Sequence, residues 1–271
     1  MPNWTIDGPT SLDLDEVTAV NVRLMGGSVA VLATDDTPSL TVTEFRGRPL
    51  QASLVDGTLT ISYESLTWDG LLGFLKPKHD TVAVTITVPA DCPIQLGVLS
   101  ASAVVSGLSA GASVKGMSGD ITLEGVTGDV TAETMSGEVA ACDIDGAVRF
   151  KSMSGALTLA GGSLGNLEAS TMSGQITADV TLAAAGTMQI STMSGDVALR
   201  LPSDSDAEVR LQSTSGPVRT EFDSLRTVKA PASHVASGNV GAGNGRVSVT
   251  TMSGSVTLLR RASAEMESKT R

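Results

Sequence analysis

The sequence predicts an all-β protein: a parallel β-solenoid, or β-helix, with coils of about 18 residues, each made of two nine-residue halves, and an antiparallel β region capping its N-terminal end. Three observations predict it. The tripeptide Met-Ser-Gly recurs from Met117 to Met252. Apolar residues follow each copy two apart, the spacing of one face of an extended strand. The first 92 residues alternate apolar and polar positions without that repeat.

The repeat comprises Met117-Ser118-Gly119, Met135-Ser136-Gly137, Met153-Ser154-Gly155, Met172-Ser173-Gly174, Met193-Ser194-Gly195 and Met252-Ser253-Gly254. A degenerate copy, Thr214-Ser215-Gly216, fills the long gap, so the steps are 18, 18, 19, 21, 21 and 38 residues. Gly119 is followed by Ile121, Leu123 and Val126; Gly128 is followed by Val130, Ala132 and Met135. Ile121 and Leu123 therefore share a strand face. The corner Gly is expected to supply the positive φ of a sharp bend. The Ser is expected to bond nearby backbone, and the Met to fill the corner as an adaptable apolar side chain. One half cannot bury its apolar face alone, whereas stacked halves bury a continuous core.

The register extends back to Ile94 and forward to Leu259, so the solenoid is assigned to 93–259. Residues 223–245 interrupt it with Pro231, His234 and a Gly/Asn-rich run, and read as an inserted loop projecting from the stack. Residues 260–271 read as a polar tail. The cap, residues 1–92, is expected to form a meander of strands at 19–25, 28–34, 39–45, 50–55, 58–63 and 81–88, covering strand edges that a solenoid end exposes. Between the last two strands, residues 66–78 concentrate Trp68, Leu71, Leu72, Phe74 and Leu75 where a connection is ordinarily polar. This is the candidate interaction loop, alongside a fold-back that closes the cap.

A net charge of −11 and a pI near 4.6 argue against nucleic acid and against anionic lipid. Lys76 and Lys78 give the 66–78 loop the one plausible membrane edge. The N-terminus shows no basic segment followed by an apolar one, so the expected location is cytoplasmic. Cys92 and Cys142 form no CxxC and are expected to be buried thiols.

The corners Ser118-Gly119-Asp120-Ile121-Thr122-Leu123, Ser136-Gly137-Glu138-Val139 and Ser194-Gly195-Asp196-Val197-Ala198-Leu199 resemble those of the bacterial DUF4097 family of β-strand repeat proteins, which also carry an adhesin label. The closing segment from Gly243 to Val256 is similar to that family's usual last coil. The resemblance runs from about residue 81 onward. It implies a β-strand repeat fold and brings no activity with it.

The acids after the corner Gly (Asp120, Asp129, Glu138, Asp196) make a ladder broken by Ala147 and Ala156, which disfavours calcium or paired-carboxylate chemistry. No His shares the spacing of the serine ladder, which disfavours a nucleophile. The expectations are therefore no catalytic residue, no cofactor and no metal site. The expected function is a non-enzymatic structural module that self-associates or binds a protein partner. An adhesin-like surface module is the alternative, and a polysaccharide-acting enzyme ranks last.

Overall fold

The computed structural model describes residues 2–63, 80–230 and 233–262. The chain is all-β, with no helix among the described residues. It divides into two compact units, 1–128 and 129–271. The division falls after Gly128, not at the residue-92 boundary suggested by the start of the repeat. The interaction loop of Trp68, Leu71, Leu72, Phe74 and Leu75 lies outside the described residues.

The first unit contains β1 (Asn3–Ile6), β2 (Thr10–Asp13), β3 (Ala19–Ala33), β4 (Ser39–Arg46), β5 (Leu50–Val55), β6 (Thr58–Tyr63), β7 (Thr81–Val88), β8 (Ile94–Ser106), β9 (Ala112–Gly116) and β10 (Ile121–Glu124). Strict alternation builds its core. Val22, Val29, Val31, Leu59, Ile61, Ile86, Ala103 and Val105 are all buried, with their chain neighbours turned outward. The strands form two ladders, joined because β3 and β8 run through both. One reads β1–β5–β6–β3–β8–β9 and the other β2–β4–β7–β3–β8–β10.

The outer pairings of this unit are antiparallel, as expected of a cap, but β3 is not part of a meander. It pairs in parallel with β6, β7 and β8, with Val20 opposite Ile94 and Val29 opposite Ala103. The expected break at Gly26-Gly27 does not end the strand. It carries β3 from one ladder into the other. Residues 19–33 thus form an internal rung of the parallel stack, inserted between strands that come later in sequence.

The second unit contains β11 (Thr127–Thr134), β12 (Val139–Cys142), β13 (Asp145–Ser152), β14 (Leu157–Thr171), β15 (Ile176–Thr192), β16 (Val197–Pro202), β17 (Ala207–Ser213), β18 (Val218–Thr220), β19 (Arg226–Ala230), β20 (Ser233–Val240), β21 (Gly245–Thr251) and β22 (Val256–Arg261). Parallel offsets match the repeat steps. Val139 faces Leu157, Leu157 faces Ile176, and Ile176 faces Val197. The interior is largely aliphatic, with Phe150 fully buried and Phe222 also buried.

One ladder of this unit reads β11–β13–β14–β15–β21–β17–β20–β19, and the other β12–β14–β15–β16–β22–β18. The last strands of the chain are therefore not last in the stack. β21 lies between β15 and β17, and β22 lies between β16 and β18. Residues 223–245 do not project as a loop. β19 and β20 form a hairpin, and β20 extends the ladder antiparallel to β17, with Leu211 opposite Ala236. The predicted tail begins inside β22, whose last residues are Arg260 and Arg261.

Positive φ appears at the corner opposite Met-Ser-Gly. Gly161 and Gly162 have φ of 76° and 82° where β14 crosses between ladders. The Met-Ser-Gly glycines do not have positive φ. They are required by close approach instead. A Cβ on Gly195 would overlap the Gly174 carbonyl, far inside the 3.0 Å limit for real Cβ contacts. The same collision repeats at Gly155, Gly174, Gly254 and Gly216 in this unit, and at Gly119 against Ala101 in the first.

Candidate functional site: the methionine face

The residue that turns inward at each corner of the second unit is not the Met but the Ser or Thr before it. Alternation carries Val130, Ala132 and Thr134 inward, which leaves Met135 outside. Thr134, Thr171, Thr192, Ser213 and Thr251 are buried. Their hydroxyls accept the N–H of the corner Gly three residues on: Gly137 from Thr134 at 2.9 Å, Gly174 from Thr171 at 3.0 Å, Gly195 from Thr192 at 2.8 Å, Gly216 from Ser213 at 2.8 Å and Gly254 from Thr251 at 3.0 Å. Ser152 does the same for Gly155 at 2.7 Å. The hydroxyl closes the turn and satisfies a donor that would otherwise be buried unpaired. The signal is present in the sequence as Ser/Thr-x-x-Gly.

Replacing Thr192 with Val keeps the shape and deletes this acceptor. The Gly195 N–H is then stranded, and the expected loss is about 1–3 kcal/mol in urea unfolding. Thr192→Ser, the residue already used at positions 152 and 213, is expected to restore most of it.

The Ser of the motif ties neighbouring rungs together. Its backbone N–H donates to the Met carbonyl of the adjoining rung: Ser154 to Met135 at 2.9 Å, Ser173 to Met153 at 3.1 Å, Ser194 to Met172 at 3.0 Å and Ser253 to Met193 at 3.0 Å. Its hydroxyl makes longer contacts to the same oxygens, as from Ser154 and Ser194 at 3.3 Å.

The methionines are therefore not corner fillers. Met135, Met153, Met172, Met193 and Met252 stand on successive rungs, each about half exposed, and Met252 reaches 57%. Met188, by contrast, is a core residue at 1%. Met117 is likewise outward in the first unit. Beside Met172, Met193 and Met252, the outward hydroxyls of Ser170, Ser191 and Thr250 complete an open groove of about 500 Å³.

Several carboxylates hold the inserted strands. Asp196 Oδ1 accepts the Ser255 N–H and hydroxyl, both at 2.7 Å, and these bonds hold its carboxyl below the ordinary range. Asp206 accepts the Asn244 N–H at 3.1 Å, its side-chain amide at 2.6 Å and the Gly243 N–H at 2.5 Å; the Asn244 bonds chiefly depress its carboxyl. Asp179 binds both Arg200 and Arg261, the latter at 2.7 Å. Among the acids that follow corner glycines, Asp196 thus serves the backbone. No group of three or more His, Cys, Asp or Glu side chains suited to a metal occurs among the described residues.

Other reactive side chains are accounted for by structure. His234 Nδ1 donates to the Gly216 carbonyl at 2.6 Å, binding the β19–β20 hairpin to a corner. Cys92 is buried, and burial, with the Asp91 charge second, pushes its thiol up to about 11. Cys142 is exposed, contrary to the expectation of two buried thiols, because alternation in β12 turns it outward. In the first unit, buried Asp80 accepts Arg48 Nε at 2.7 Å and the Arg48 backbone N–H at 3.0 Å. The Arg48 guanidinium lies 5.3 Å over the Tyr63 ring. Burial first, then the Asp80 charge, pushes the Tyr63 hydroxyl up to about 12. This cluster clamps β6 to the start of β7.

Solved structures similar to this chain include a "putative adhesin" from Bacteroides fragilis NCTC 9343, at 12% identity over 96% of this chain and 97% of that one, with a TM-score of 0.43. Two come from Parabacteroides distasonis ATCC 8503. One is named a "putative adhesin" (11% identity, 94% and 98% of the two chains, TM-score 0.35), and the other a "putative lipid binding protein" (11%, 94% and 97%, 0.37). Overlap at that level carries no argument about function. No curated protein matches the chain. The family model described as Toastrack DUF4097 matches residues 17–259, from just ahead of β3 into β22, and the chain accordingly belongs to the Toastrack DUF4097 family.

Proposed function

We propose that this chain is a non-catalytic, adhesin-like binding module, a β-solenoid of about 18-residue coils that presents the methionine groove of its second unit to a protein partner. The observation that carries this reading is the exposure of five methionines at one position of five adjoining rungs. Everywhere else in the ladders, large apolar side chains point inward almost without exception. A contiguous apolar row on a soluble surface marks an interaction site, and Met suits one that adapts to its partner. The names borne by the neighbouring structures agree with a binding role, although the reading rests on the groove.

Site-specific placement of a diazirine amino acid tests it. At position 172 in the groove, irradiation in the native cells is expected to give a protein adduct. At Thr158, exposed on the other ladder, it is expected to give none. Equal labelling at both positions, or none at 172, overturns the groove as the docking surface. An adduct with a second copy of the chain assigns the groove to self-association.

A further inference from the structure

We infer that the methionine row is also a binding site for a soft monovalent metal ion, Cu(I) or its redox-inert analogue Ag(I). The expectation of no metal rested on the broken acid ladder and on methionine as a corner filler, and the structure removes the second of these grounds. The inward place is taken by Thr171, Thr192 and Thr251, whose hydroxyls are committed to the corner glycines. The thioethers outside them have no core to fill.

Geometry supports the ion. The hydrogen bonds from Ser173, Ser194 and Ser253 to the preceding methionine carbonyls, at 3.0–3.1 Å, fix Met153, Met172, Met193 and Met252 on consecutive rungs. Rungs in a ladder repeat at about 4.8 Å. Two sulfurs flanking one ion at metal–sulfur bonds of about 2.3 Å lie about 4.6 Å apart. Adjacent rungs therefore offer thioethers at the separation a two-coordinate ion needs, and three rotatable bonds per side chain allow a third sulfur to lean in.

Chemistry sets the selectivity. The groove lining is thioether and hydroxyl, with no carboxylate, imidazole or thiol among its residues. Hard divalent ions find no charged ligand there, whereas thioethers favour Cu(I). The ion is taken up as Cu(I), so no electron transfer is involved. The chain's net charge of −11 favours any cation. Apolar docking needs only a greasy surface, which Leu would supply. The metal needs sulfur, so leucine separates the two uses of one groove.

The test is an Ag(I) competition titration in a Cys142→Ser background, which removes the exposed thiol. The parent is compared with a variant carrying Met153→Leu, Met172→Leu, Met193→Leu and Met252→Leu. The parent is expected to bind Ag(I) at least about tenfold more tightly, while Ca(II) and Zn(II) show no difference between the two. Equal Ag(I) affinity overturns the inference. Should the leucine variant fail to fold, methyl NMR of the parent labelled at methionine Cε decides. The groove methyls are expected to shift with Ag(I) while that of buried Met188 stays; an unmoved groove, or uniform shifts, overturns the site. Photo-crosslinking from position 172 that is retained when Met153, Met193 and Met252 are leucine shows that the docking reading stands whichever way the metal result falls.

Discussion

A chain ending at Asn244 is expected to keep its β-structure and to close its ladders in sequence order. In the whole chain β21 separates β15 from β17, with Ile190 opposite Val249 and Val249 opposite Leu211. Truncation removes Val247, Val249, Val256 and Leu258, all fully buried. At roughly 1.5–3 kcal/mol each, leaving the gap open would forfeit a sum comparable to the whole stability of a domain, about 5–15 kcal/mol. It would also leave facing rows of backbone donors and acceptors unpaired on β15 and β17. A shift of β17 by one rung, about 4.8 Å, repairs both. Ile190 then meets Leu211 and Val197 meets Val218, at the same 21-residue offset by which Ile176 already meets Val197. Engineered cysteines in a Cys142→Ser background read the register. Ser191 and Thr250 are opposite in the whole chain, as are Thr250 and Gln212. A bridge between Ser191→Cys and Gln212→Cys is therefore expected only in the truncated chain, since two rungs, about 9.6 Å, exceed the reach of a disulfide. Its thermal midpoint is expected to fall. An unfolded circular dichroism spectrum, or no bridge, shows that the sequential register is out of reach.

That competition explains what the sequence withheld. Each rung carries the same corner and the same inward pattern, so the repeat specifies how a rung meets a neighbour but not which neighbour. Adjacency is decided by connections, and these were legible only as irregularities. The 38-residue step before Met252 holds β18 and the antiparallel hairpin of β19 and β20, after which β21 inserts between β15 and β17. The same holds at the other end. Val20 and Val22 are followed nine residues later by Val29 and Val31, which is the half-repeat itself. The intervening Gly26-Gly27 reads as a hairpin turn unless that period is followed across it.

The inward corner residue was assigned one position too late for a related reason. The nine-residue template required an apolar residue at each inward place, so Met was assigned inward and the preceding Thr was treated as a spacer. Unbroken period-two alternation gives the observed answer, because Ala169 and Thr171 face in and Met172 faces out. A buried hydroxyl is acceptable there only because the Gly174 N–H needs it. The corner motifs themselves, all six Met-Ser-Gly copies, were legible, but the role assigned to their glycines was not. Sequence shows that a side chain is absent, and only the stacked carbonyls show why.

Gly254→Ala tests that last point with the largest effect expected of a single methyl group. Gly254 belongs to the inserted rung, and its added Cβ would overlap the carbonyl group of Gly195. The conformation itself poses no obstacle, since φ is not positive. Any strain therefore comes from the neighbouring backbone, which is not the movable end of a side chain. Relief requires lifting the rung. That stretches the Ser253 N–H bond to the Met193 carbonyl and the Gly254 N–H bond to Thr251, both 3.0 Å. It also disturbs the next rung, where the Ser213 hydroxyl donates to the Gly254 carbonyl at 2.8 Å. Overpacking of this kind is expected to cost about 3 kcal/mol or more in urea unfolding. Gly165→Ala in β14 is the control in the same unit. Its nearest neighbour would be the Gly146 carbonyl oxygen at 3.9 Å, an ordinary contact, and the change is expected to stay within about 0.5 kcal/mol. If the two variants unfold alike, the corner has slack, and close stacking of carbonyls on glycine is not what keeps the motif.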